Sequence, residues 1–301
     1  MWLLLSLISA FFLGLYDVAK KSAVTGNAVF PVLFFSTLSG TLCTLPMILL
    51  SRFNPELALR WHLFIPALPM STHALIIAKS VVVGTSWVLS YFGLKHLPIT
   101  VAAPLRATAP FFTVIGAVLF FGERPTASQW PGVILILASY ILYSRPSRTG
   151  SSAGATSPVW IVFMILAALT GAASAGFDKY LLQRMALPPR FVLSWFLFYL
   201  SIIYGGITLV VWYPQRRRST PFSFRPAIFL VGILLVIADI VYMTALSDPE
   251  AKLALVSAIR RTNILISFIA GALLFREGSI RKKLIPFIGI VTGLALIMIG
   301  R

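Results

Sequence analysis

Ten long apolar runs follow one another along this 301-residue chain, at approximately 2–20, 30–51, 72–94, 99–121, 127–144, 159–181, 191–213, 226–246, 251–275 and 283–300. A stretch of ~20 apolar residues is what an α-helix needs to cross the hydrocarbon core of a bilayer. Backbone inside hydrocarbon must also satisfy its own hydrogen bonds, so such runs are read as helices. Most links between them are under a dozen residues and leave no room for an extramembrane domain. Composition agrees: 58% of residues are apolar and 11% charged, with a mean hydropathy of +0.93. A soluble domain is nearer half apolar and one-quarter charged, and a globule of this composition could not cover its surface with polar side chains. The expected fold class is an all-α polytopic membrane protein, multi-pass in the cell (inner) membrane.

The formal net charge is +17, from 25 Lys and Arg against 8 Asp and Glu. In a soluble chain that excess would point to nucleic acid. Here most basic residues fall in the short links, where they meet lipid headgroups, so the partners expected are the lipid bilayer and a small-molecule metabolite, with no nucleic acid. The single cysteine, Cys43, and three scattered histidines, His62, His73 and His96, have no metal-ligand spacing, so neither a metal nor a cofactor is expected. The first run lacks a basic region ahead of it and carries Asp17 within it, so it is read as a retained membrane helix rather than a cleaved signal.

The chain also repeats itself. APLRATAPFFTVIGAVLFFGERPT, from Ala103, aligns with SAIRRTNILISFIAGALLFREGSI, from Ser257, at a constant offset of 154 that places Arg106 on Arg260, Thr108 on Thr262 and Glu123 on Glu277. GLYD ending at Asp17 resembles AGFD ending at Asp178, and Tyr91 with Pro98 parallels Tyr242 with Pro249. The Ser-, Gly- and Pro-rich stretch 145–158 reads as a connector between a first five-helix repeat, 1–144, and a second, 159–301. Five is odd, so the halves enter the membrane from opposite sides. That makes ten transmembrane helices in two inverted five-helix repeats, with a midplane site expected where they meet.

Ionisable residues inside the runs carry most of the functional information, because a charge at mid-membrane costs ~2.5–3.5 kcal/mol on insertion scales. Lys79, Arg106, Arg260 and Arg261 lie deep, as does Asp239. Such groups must pair with one another or face water. Arg106 lies between Pro104 and Pro110, whose freed carbonyls also argue for a cavity lining. Arg260 and Arg261 point about 100° apart on a helix, so one acid cannot neutralise both. The expected substrate-binding set is Lys79, Arg106, Arg260 and Arg261 with Trp87, Tyr91 and Tyr242. Asp17, Asp178 and Asp239 are read as counter-ions or coupling groups, Asp239 as a counter-ion to the arginine pair. Asp17 has Lys20 and Lys21 within one helical turn, and Asp178 continues a Thr170, Ser174 stripe that suits helix packing equally well. Lys179 is expected to snorkel, and Glu123 and Glu277 to cap the next helix or pair with Arg124 and Arg276. Trp195 and Tyr199 could line a cavity as well, or serve as ordinary packing or interfacial anchors.

These features resemble the drug/metabolite transporter superfamily in its EamA-type branch, above all through PFFTVIGAVLFFGERPT and ILISFIAGALLFREGSI. Pro110 stands thirteen residues ahead of Glu123 as that family's pattern has it, whereas the second half has Ile264. The resemblance implies an exporter or exchanger of small polar metabolites with cytoplasmic termini. The distribution of Lys and Arg among the links instead favours both termini outside. The Arg260-Arg261 pair is similar to a Lys-Arg pair that binds phosphate in sugar-phosphate translocators. The reading is therefore a non-enzymatic secondary transporter of an anionic or zwitterionic metabolite, working by alternating access. A membrane enzyme acting on a lipid-linked substrate is one alternative, although no HExxH or nucleophile elbow is present. A non-transporting structural membrane protein is the other.

Overall fold

A computed structural model of the chain describes residues 1–97, 105, 108–144, 158–263, 265–266 and 280–299. All secondary structure among them is helical: α1 (Trp2–Val24), α2 (Val29–Phe53), the short α3 (Pro55–Arg60), α4 (Met70–His96), α5 (Ala109–Phe121), α6 (Gln129–Ser144), α7 (Pro158–Lys179), α8 (Pro189–Ile207), α9 (Pro226–Leu246), α10 (Leu253–Arg260) and α11 (Ile280–Ile299). Two of these continue past an ordinary α-helical end. A π-helical turn, Tyr180–Arg184, prolongs α7, and α8 runs on through a π-helical segment, Thr208–Trp212, to Gln215. Among the described residues, six helices are long and apolar enough to cross a membrane, namely α1, α2, α4, α7, α8 and α9. Apolar helices of 10–17 residues lie at Ala109–Phe121, Gln129–Leu142 and Ile288–Ile299. The connector at 145–157 and the end of the ninth run, 267–275, lie outside the described residues.

Proline and glycine set the helix boundaries. Pro55, Pro189 and Pro226 open α3, α8 and α9, where a missing N–H costs nothing and the ring presets φ. Gly122 ends α5 in the left-handed conformation, φ +63°, and the amides of Gly122 and Glu123 both return to the Ala117 carbonyl. That turn throws Glu123 sideways out of the helix axis.

The helices do not pack half against half. One group forms around α1, which packs on α9 and α10, with α2 also against α9. A second forms around α7, which packs on α4 and α5, with α4 also against α8. The two groups meet along α2–α8 and α5–α10, and α6 packs on α11 at the side. Each group thus takes helices from both halves of the sequence.

With lipid as solvent there is little hydrophobic gain in bringing two helices together, so close contact and interhelical hydrogen bonds decide which faces meet. The α6–α11 seam shows this. A Cβ on Gly132 would stand 2.6 Å from the Gly293 carbonyl oxygen, and one on Gly293 would stand 2.8 Å from that of Gly132. Gly289, one turn before Gly293, lies against Ser139 in the same way. On the α2–α9 seam, Gly232 leaves no room for a Cβ beside the Ser36 carbonyl, and Ser39 Oγ donates to the Phe229 carbonyl at 3.0 Å. Ser9 ties α1 to α9 through the Ala238 carbonyl at 2.8 Å, and Ser86 ties α4 to α7 through that of Ala167 at 2.8 Å.

Gly293→Ala is expected to force α6 and α11 apart, at a cost of about 1–3 kcal/mol. Gly206→Ala, where an added Cβ meets nothing within 4 Å, is expected to leave stability unchanged or slightly raised. Thermal unfolding of the two variants in detergent, compared with the parent, checks the contrast.

Candidate functional site

Buried and half-buried ionisable side chains from four helices converge. Lys79 of α4 is 2% exposed, and its Nζ lies 3.1 Å from Asp178 Oδ1 of α7. The same ammonium sits over the Phe196 ring of α8 at 3.6 Å from the centroid, so its remaining face is covered by π-electron density. On α9, Asp239 and Tyr242 are three residues apart and share a face. Together they grip Arg260: Nη2 donates to Asp239 Oδ1 at 2.8 Å, and the guanidinium lies 4.0 Å from the Tyr242 ring centre. Asp178 is within electrostatic reach of Asp239 and Arg260, and Tyr242 within reach of both acids and both arginines. Lys79, Asp178, Asp239, Tyr242, Arg260 and Arg261 therefore form one cluster.

Charge does not balance within it. Lys79 has Asp178, and Arg260 has Asp239. Arg261, turned away on the next helical position, has no carboxylate partner among the described residues. Its guanidinium lies 5.9 Å from the ring centre of Tyr140 on α6, and its buried Nε makes no hydrogen bond among the described residues. The Nε of Arg260 is likewise buried without a partner there. The arrangement is one cation in excess, carried by a fork-shaped group that can donate two parallel hydrogen bonds to a carboxylate or phosphate.

Asp17 lies beside the cluster. Its Oδ2 accepts from Asn263 Nδ2 at 2.7 Å, which joins α1 to the chain just after the arginine pair. Gly14, one turn earlier, permits that approach, since a Cβ there would stand 2.8 Å from the Asn263 carbonyl oxygen. Trp87 is stacked on Tyr204, with Lys20 Nζ 5.7 Å from its ring centre, so its described contacts are with those residues rather than with the arginines. Arg106, the Tyr91 side chain and Glu277 lie outside the described residues.

Two expectations of the sequence change here. Lys179 does not snorkel to the interface; it pairs with Glu123, and both side chains are largely buried. Glu123 caps neither the next helix nor Arg124. Its carboxylate instead accepts from the backbone amides of Leu253, at the start of α10, and Ala254, the latter at 2.9 Å. The physical reason is the left-handed turn at Gly122, which aims the carboxylate across the α5–α10 seam.

A cavity of about 490 Å³ lies between α5 and α7, lined by Phe112, Phe120, Phe121, Phe177, Tyr180 and Leu253 among others. It draws on both halves of the sequence, yet none of the described candidate site residues lines it. The sequence reading also missed Phe196 and Asn263. An amide inside an apolar run was a usable signal for Asn263, but the repeat places it opposite Ala109, so alignment of the halves passed over it.

Residues 1–145 match the EamA-like transporter family. That match covers just under half of the chain. The chain is also 30% identical over 185 residues to a riboflavin transporter of Rhizobium johnstonii, a match covering 61% of this chain and 56% of that protein. It is 25% identical over 163 residues to Crt homolog 1 of Dictyostelium discoideum, covering 52% of this chain and 33% of that one. Both matches thus span only part of the relative's own length. An uncharacterised protein of Methanocaldococcus jannaschii is 28% identical over 142 residues, covering 47% of this chain and 95% of its own. A solved crystal structure superposes on 99% of this chain and 96% of its own at a TM-score of 0.74 and 15% identity, and so shares the fold. With six described helices long and apolar enough to cross a bilayer, the chain reads as a multi-pass membrane protein.

Asp178→Ala is expected to strand the Lys79 ammonium in the interior and lower stability by about 3–5 kcal/mol. The double variant Lys79→Met with Asp178→Leu removes both charges and is expected to recover most of that loss. Melting temperatures of the single and double variants check whether the cost comes from the unpaired charge.

Proposed function

We propose that the protein is a secondary transporter of a small anionic or zwitterionic metabolite, working by alternating access around the Arg260-Arg261 cluster. The observation that carries this reading is Arg261: a half-buried side chain, one charge in excess of its described surroundings, with a buried donor nitrogen, Nε, that no described protein group uses. Excess positive charge deep in a membrane protein is costly unless an anion offsets it for part of the time. Arg260, held by Asp239 and Tyr242, would orient its neighbour, and Arg106 from the first half would complete the anion site. Lys79 is occupied by Asp178 in this conformation, so it would contribute only when that ion pair opens. Tyr242 would bound the site, with Trp87 and Tyr91 further along α4. Asp17, Asp178 and Asp239 would serve as counter-ions, or as coupling groups should transport be proton-linked.

The ten-helix, inverted-repeat reading is supported by the packing. Exchanging the first half, 1–144, with the second, 159–301, turns α1–α9 into α4–α7, α1–α10 into α5–α7, and α2–α9 into α4–α8. The contacts α2–α8, α5–α10 and α6–α11 are each carried onto themselves. A pseudo-two-fold axis in the membrane plane has that signature, and it equips a central site to open toward either side in turn.

Arg261→Ala leaves no carboxylate unpaired among the described residues, so the variant is expected to fold with an unchanged melting temperature while transport falls by roughly a hundredfold, as for loss of one partner of a buried charge pair. The measurement is substrate flux in proteoliposomes. Its substrate panel holds carboxylate- and phosphate-bearing metabolites together with riboflavin, included because a relative is named for it. Normal flux of every transported compound by the folded variant would overturn the assignment.

A further inference from the structure

The proposed transport cycle leaves a second polar knot unused. It lies where the ends of α5 and α7 meet the loop between α9 and α10. Glu123 receives the Lys179 ammonium and the amides of Leu253 and Ala254. Lys252 Nζ donates to the Arg124 carbonyl at 2.7 Å. The side-chain amide of Gln183, on the π-helical turn after α7, reaches the carbonyls of Leu246 at 2.8 Å, Asp248 at 2.9 Å and Ala251 at 2.9 Å. The Glu123–Lys179 pair joins α5 to α7 within one helix group. Each of the other contacts runs from the α4–α5–α7–α8 group to the α1–α2–α9–α10 group.

We infer that Glu123 is the latch of a gate between the two helix groups, closed in this structure, whose release opens this end of the protein toward the arginine cluster. The inference rests on the alternating-access reading. Three features distinguish a latch from an inert strut. The partners of the Glu123 carboxylate are an ammonium and two N–H groups of a helix amino terminus, all donors that water can satisfy once the knot opens. Gly122 carries the carboxylate on a left-handed turn whose φ of +63° a residue with a side chain would adopt only under strain, so its placement is specified by the backbone. The latched element is itself the lever: α10 is eight residues long, about 12 Å at ~1.5 Å per residue, with Glu123 at its first turn and Arg260 at its last. Displacing its start tilts the arginine pair at its end. The π-helical turn that holds Gln183 and the small cavity-lining residues Gly116, Ala117 and Gly176 give the α5 and α7 ends room to move away.

The test uses full-length protein in nanodiscs with Cys43→Ser, which removes the single native thiol, and one of two reporter substitutions. Ser257→Cys reports from one turn inside α10, where the serine is buried. Thr208→Cys reports from the far end of α8, nineteen residues beyond Pro189 and so about 28 Å along the helix. A water-soluble maleimide is the probe. Glu123→Gln is expected to raise the labelling rate of the α10 reporter by about tenfold, the equivalent of one lost charge-assisted hydrogen bond. Lys179→Ala, which leaves both amide contacts in place, is expected to raise it less, and it carries the test alone if Glu123→Gln does not fold. An α10 reporter that labels at the parent rate in the folded variants overturns the latch. The α8 reporter decides the reading beneath it. A fall in its rate as the α10 rate rises supports alternating access, whereas an unchanged or raised rate keeps the latch and removes the alternation.

Discussion

Charge confined in hydrocarbon organises this molecule. An ammonium or guanidinium deep in a membrane helix has few destinations, namely a carboxylate, an aromatic face, a backbone carbonyl or water. Lys79 uses two of them at once, with Asp178 at 3.1 Å and the Phe196 ring at 3.6 Å. Those two partners sit on α7 and α8, so a single side chain on α4 holds three helices in register. Arg260 does the same for α9 and α10. Apolar packing alone would not fix those registers, because lipid tails compete for the same faces on nearly equal terms.

Small residues supply what the charges cannot. At helix crossings away from the ion pairs, glycine meets a close neighbour: Gly132 with Gly293, Gly289 with Ser139, and Gly232 with Ser36. Backbones that approach this closely gain dispersion contacts that lipid cannot match, and serine hydroxyls bonded to carbonyls of the next helix add direction. The two devices divide the molecule. Charge pairs sit in the cluster and in the knot around Glu123, while the α6–α11 seam at the side is closed by glycine. The seam fits a rigid strut, and the cluster fits a place where partners exchange.

The sequence made the helical fold legible because period and length are local properties. Each apolar run that falls within the described residues is helical, and the helix starts follow Pro55, Pro189 and Pro226 as proline chemistry requires. What the sequence could not convey was which helices touch. An expectation of two halves facing each other is natural from a repeat, yet α1 packs on α9 and α4 on α7, interleaving the halves. The same blindness explains Lys179. Local sequence offers it only the interface, whereas its partner Glu123 is 56 residues away. Asp239 differs: an acid deep in the run just before two arginines reads first as their counter-ion, and in the fold it stands 2.8 Å from Arg260.

The cluster and the knot around Glu123 share a helix, and that has consequences for how a ligand at one is felt at the other. A ligand that neutralises Arg261 would weaken the claim of Asp239 on Arg260, since the carboxylate and the ligand would compete for adjacent guanidinium groups. It would also relieve the repulsion between the two arginines. Either change alters the position that α10 prefers, and α10 has one fixed point at its other end, the Glu123 carboxylate. A rod pinned at one end and biased at the other has two arrangements rather than a continuum when its surroundings are close-packed, because intermediate positions would open voids. The coupling required is small. A shift from one arrangement to the other by a factor of ten needs about 1.4 kcal/mol of differential interaction, within the range of one charge-assisted hydrogen bond gained or lost. The geometry therefore needs no long relay between site and gate: the eight residues from Leu253 to Arg260 are enough.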